Sequence, residues 1–135
     1  SRLKPDWAEE KLFPRFIRTP QPIVDTLFDK LDALASSGRA QMHGSGDVPV
    51  LLLKRFATWE ECRELRQLAT QQGWERTENV VRKVNVAILN RPGTADHPLV
   101  LDLRTRAAKL IGLSHRHCES VHCVRYEDDE RHDDH

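Results

Sequence analysis

The chain has 135 residues, 39% of them apolar and 31% charged, and its 21 Lys and Arg balance 21 Asp and Glu. That length supports one compact domain with an arm, and zero formal charge leaves no sign excess to draw nucleic acid or an anionic membrane surface. No apolar run approaches the roughly 20 residues of a bilayer span, so the composition predicts a soluble globular protein without a membrane segment.

Ser1 is not followed by a charged stretch leading into an apolar one, so a targeting peptide never existed, was removed, or lay upstream, and the compartment stays open. Cys62, Cys118 and Cys123 are an odd and sparse set that reads as ordinary thiols rather than a disulfide framework.

In chain order, Pro5, Pro14 and Pro20 among Trp7, Phe13 and Phe16 disfavour a long helix and suggest an aromatic arm. Ile23, Leu27, Leu31 and Leu34 then recur at helical spacing, predicting an amphipathic helix over 22–36 that Ser36, Ser37 and Gly38 end. The stretch 38–47 reads as a connection, and divides an N-terminal arm and helix, 1–46, from a domain over 47–135.

Residues 48–56 read as a buried strand leading into Thr58-Trp59-Glu60-Glu61, a capping box that starts a helix with Cys62, Leu65, Leu68 and Ala69 on its apolar face and Gly73 at its end. Strands are predicted over 74–79 and 84–90. Arg91-Pro92-Gly93 is a turn, and Asp96 is expected to cap a third helix with Pro98 near its first turn and Gly112 at its end. A last strand over 119–126 precedes the polar tail 127–135. The fold class expected is α+β, helices packed on a partial antiparallel sheet.

The chemistry concentrates at the end of the chain, where an apolar strand delivers a cluster of His and Asp. Histidine with carboxylate suits a borderline-hard divalent ion such as iron(II), and His-x-Asp on an extended strand supplies two ligands on one side because residues two apart point the same way. A solvated charged tail is the competing interpretation. His115, His117 and His122 with Cys118 and Cys123 raise structural zinc, but they are tightly bunched, lack a second distant ligand pair, and a strand sends His122 and Cys123 to opposite faces.

From about Asp47 onward the chain resembles the front half of the prolyl 4-hydroxylase type of iron(II) and 2-oxoglutarate dependent oxygenase. The residues that carry the likeness are Phe56-Ala57-Thr58-Trp59-Glu60-Glu61-Cys62 at a helix start, Arg82 near a strand, Leu110-Ile111-Gly112-Leu113, and Glu119-Ser120-Val121-His122-Cys123-Val124-Arg125-Tyr126. In that family the first metal-binding His comes nine positions after the Arg-Tyr tyrosine, and nine after Tyr126 is His135. A rival register takes His132 and Asp134 as the His-x-Asp pair and shortens the loop by three residues. Asp129 stands where the family has Gly, and Glu130 where it often has Gln; a Gly-to-Asp change bears directly on a left-handed backbone angle.

The resemblance implies the front part of a double-stranded β-helix, or jelly roll, and a dioxygenase that hydroxylates peptidyl proline or a similar substrate while 2-oxoglutarate is decarboxylated to succinate. It implies Fe(II), 2-oxoglutarate and ascorbate as cofactors and a protein or peptide substrate as partner. Under it the metal falls to His135, or to His132 with Asp134; Tyr126 and His132 line the co-substrate site and Arg82 the substrate site. The distal His and the Lys that pairs with 2-oxoglutarate have no match, so under the resemblance this chain, inactive alone, is either a fragment of an active parent or a decayed relative serving another purpose. The alternative is a non-catalytic α+β interaction module with a solvated His/Asp tail.

Overall fold

Periodic apolar positions need a surface to cover, and each of the three helices meets one. In the computed structural model, which describes residues 21–44 and 50–132, the first helix, α1, runs over Gln21–Ser36. The aromatic arm expected before it, with Trp7, Phe13 and Phe16, lies outside the described residues, as do residues 45–49. The chain forms two compact units, Ser1–Phe56 with Ala107–Ser114, and Ala57–Arg106 with His115–His135.

In the first unit Phe28 of α1 is buried, with Leu31, Ala35 and Leu51 packed against it. Leu51 belongs to a two-stranded antiparallel sheet of β1 (Ala40–His43) and β2 (Val50–Leu53). The stretch expected to be a connection thus holds a strand: Ala40 pairs with Leu53 and His43 with Val50.

The second unit starts as its sequence dictates. Thr58 is the N-cap of α2 (Trp59–Gln72): its hydroxyl accepts from the Glu61 N–H at 3.1 Å, and the Glu61 carboxylate accepts from the Thr58 N–H at 3.0 Å. This reciprocal bonding satisfies two donors that a helix start leaves open. Gly73 ends the helix at φ 105°, a backbone angle that side-chain-bearing residues rarely adopt.

The chain then enters β3 (Glu75–Glu78) and β4 (Arg82–Leu89), which pair antiparallel with Glu75 opposite Val86. After α3 (Pro98–Leu110) and a short 3₁₀ turn at His115–His117, β5 (Val121–Arg125) pairs antiparallel with the other edge of β4, Leu89 opposite Val121. The sheet order is β3-β4-β5, and the short β6 (Arg131–His132) also pairs with β4. The observed class is α+β, three helices and two small antiparallel sheets.

Strand alternation sets the core. Ala87 and Leu89 of β4 are each 1% exposed and cluster with Leu68 and Ala69 of α2 and Val100 of α3, while Leu65, Trp74, Val121 and Cys123 pack around them. The start of α3 differs from expectation. Asp96 accepts from the Gly93 N–H at 2.7 Å and so closes the preceding turn, whereas the His97 ring nitrogen Nδ1 accepts from the Leu99 N–H at 3.2 Å. A short carboxylate facing back into an Arg-Pro-Gly turn finds its local donor there first.

Candidate functional site

Of the candidate residues, Arg82, Tyr126 and His132 lie at or beside the Arg82 end of β4, away from the cluster around Leu89. Along its outer edge β4 pairs first with β5, Asn85 opposite Arg125, and then with β6, Lys83 opposite Arg131 and Arg82 opposite His132. Both segments run in the same direction, so they are one strand line interrupted by residues 126–130, which stand opposite Val84 alone. An insertion of this kind bends a strand and re-aims the residues beyond it.

Charges and turn geometry hold the insertion. Arg76 of β3 pairs with the Glu130 carboxylate, whose side chain is only 4% exposed, and Glu130 also accepts from the Glu127 N–H at 2.8 Å. The Arg76 hydrogen bond, then the backbone bond, holds the Glu130 carboxyl below the ordinary carboxylate range. Lys83 of β4 meets Asp129 at 3.4 Å. Asp129 itself has φ 68°, in the left-handed region. Asp enters that region more readily than most residues, at a cost that Gly would not incur.

Arg82 and His132 therefore occupy directly opposed register positions on neighbouring strands, while Tyr126, half exposed, opens the insertion. Of the remaining metal candidates, Asp134 and His135 lie outside the described residues. Among the described residues no group of three His, Cys, Asp or Glu is placed to hold a metal ion. His115 and His117 sit in the 3₁₀ turn, and His122 is an exposed residue of β5 next to the half-buried Cys123. The donor types of the tail suit iron(II), so a fit to that metal rests on His132 and the three residues after it.

Sequence reasoning did not find the ion pairs from Arg76 and Lys83 to residues far along the chain, since no local pattern links them. The one signal was Asp128-Asp129, a pair of residues that favour turns and tolerate a left-handed angle. No protein-family model matches this chain, and no curated protein and no solved structure is significantly similar to it.

Proposed function

We propose that this chain is the front part of a non-haem iron(II) and 2-oxoglutarate dependent dioxygenase that hydroxylates a prolyl or similar residue in a peptide. The observation that carries the reading is Asp129. The resembled family has Gly there, and here the position takes φ 68°, so the backbone keeps the left-handed turn with a different residue in it. The turn returns the chain to β4 and sets His132 opposite Arg82.

In this reading β3, β4, β5 and β6 are the first strands of a jelly roll, and the tail after β6 brings its metal ligands to the end of β4. His135, or His132 with Asp134, holds the iron; His132 and Tyr126 face the co-substrate; Arg82 orients the substrate or the acid. Iron(II) with 2-oxoglutarate and O₂ supplies the oxidising power for C–H hydroxylation. The chain's own share is to hold the ligands in place and keep the reacting groups together.

A facial triad needs an Asp two positions past His135, a distal His and a Lys for 2-oxoglutarate, and the proposal places these in sequence beyond His135. The test is to read the encoding message past His135 and assay the longer chain for succinate release from 2-oxoglutarate with iron(II), ascorbate and a proline-containing peptide. The expected result is the Asp, then a His and a Lys in a strand-rich stretch, with succinate release that His135→Ala abolishes. A continuation without those residues, or a longer chain that releases no succinate, overturns the proposal and leaves an interaction module.

A further inference from the structure

On the side of the second unit where α2 covers the sheet, the covering is incomplete. Beside the cluster of Leu68, Ala69, Ala87, Leu89 and Val100 runs a groove of about 550 Å³, walled by Trp59, Cys62 and Arg66 of α2, by Trp74, and by Cys123 and Arg125 of β5. Trp59, the first residue of α2, is 86% exposed, and Val124 at the groove's other wall is 44% exposed. A tryptophan left that far in water adds little to the fold, and an exposed apolar surface in a cleft is a feature of binding sites.

Two further features say what the groove accepts. The inner edge of β5 pairs with β4, and among the described residues no strand pairs with its outer edge, so that edge offers a row of backbone donors and acceptors beside the groove. The lining also carries two arginines and no carboxylate. Arg125 stacks over Trp74 at 4.9 Å and bonds Glu127 at 3.0 Å, whereas Arg66 is exposed and has no ion pair among the described residues. In a chain whose total charge is zero, this is a local cationic wall over aromatic rings.

We propose that the groove binds an extended, acidic segment of a partner protein, which adds a strand to the outer edge of β5, rests a bulky apolar side chain on Trp59 and Trp74, and places a carboxylate on Arg66. Main-chain bonding along a free edge supplies generic affinity, and pockets beside it select side chains. The aromatic floor and the arginine are the selective elements. The site uses the α2 side of the sheet rather than the β6 end of β4, so none of its lining residues belongs to the candidate dioxygenase site.

Panning a phage-displayed random dodecapeptide library on the full chain tests this, with the enriched peptides titrated by tryptophan fluorescence. Enrichment of peptides that combine Asp or Glu with a large apolar residue is expected, and Trp59→Ala and Arg66→Glu should each weaken them about tenfold or more, the scale of an interface anchor. Both residues are exposed, and unchanged far-UV circular dichroism verifies that each variant is folded. Absence of enrichment overturns the proposal. So does binding indifferent to both substitutions, or self-association of the chain that Trp59→Ala abolishes, which would make a second copy the occupant.

Discussion

The two ends of β4 are built on different physics. Toward Leu89 the strand is apolar, nearly sealed from water, and sandwiched between helix residues and β5. Toward Arg82 it carries Arg82 and Lys83 next to the fully buried Val84, and it is flanked by a five-residue insertion that ion pairs hold, around a residue at φ 68°. The first end is held by burial, which scales with area; the second adds to the burial of Val84 charge pairs that water and salt weaken. The polar end is the one at which Arg82 and His132 stand opposite each other.

Breaking the apolar end should have the largest effect. Leu89→Ala removes a side chain that is 1% exposed and leaves a cavity in the cluster it shares with Leu68, Ala69, Ala87 and Val100. A loss of about 2–5 kcal/mol in unfolding free energy is expected from urea titration. An unchanged midpoint would mean that the end of β4 nearest Leu89 is no more buried in solution than the other.

This contrast also explains what could be read from the sequence. The capping box at Thr58 and Glu61, the periodic faces of α1 and α2, and the alternation in β4 are local signals, and each led to the right element within a few residues of its ends. Strand β1 was hidden because Ala40–His43 is four residues long beside glycines, and it forms only by pairing with β2. Asp96 was assigned as the cap of α3 from residue type alone, yet type does not say whether the nearest free N–H lies ahead or behind. The pairing of Arg82 with His132 is a matter of register across an insertion, which no spacing along the chain encodes. Of the site residues, Asp134 and His135 fall in the segment outside the described residues, so the sequence remains their sole source.

The charged end sharpens at Asp129. Asp129→Val puts a β-branched side chain at φ 68° and should lower stability by about 1–2 kcal/mol, whereas Asp129→Gly relaxes the angle and should match or slightly exceed the parent chain. Loss of the 3.4 Å contact to Lys83 offsets the gain only in part, because Asp129 is exposed and such pairs contribute little. Thermal unfolding of both variants measures the two signs. Equal stability of the Val and Gly variants would mean that the insertion does not keep its left-handed turn.

Acid provides the mildest perturbation, and it separates two carboxylates. Glu61 bonds Arg106 at 2.5 Å and the Thr58 N–H, and the Arg106 hydrogen bond above all holds its pKa down to about 2 against an ordinary 4.5. Glu130 is lowered in the same direction by Arg76. A carboxyl whose folded pKa lies below its unfolded one contributes stability that is complete above the unfolded pKa and is lost as pH falls toward the folded one. For Glu61 the loss therefore runs from about 4.5 down to about 2. Urea midpoints tracked from about pH 6 to about pH 2 should decline less steeply in Glu61→Gln than in the parent, since Gln keeps the capping-box acceptor and removes only the titrating charge. Glu130→Gln should flatten the same profile while leaving α2 untouched, which a helix signal by circular dichroism distinguishes from the Glu61 effect. If both variants tracked the parent curve, neither ion pair would hold its carboxyl in the ionised form, and the charged end of β4 would owe its shape to strand pairing and the burial of Val84 rather than to Glu130.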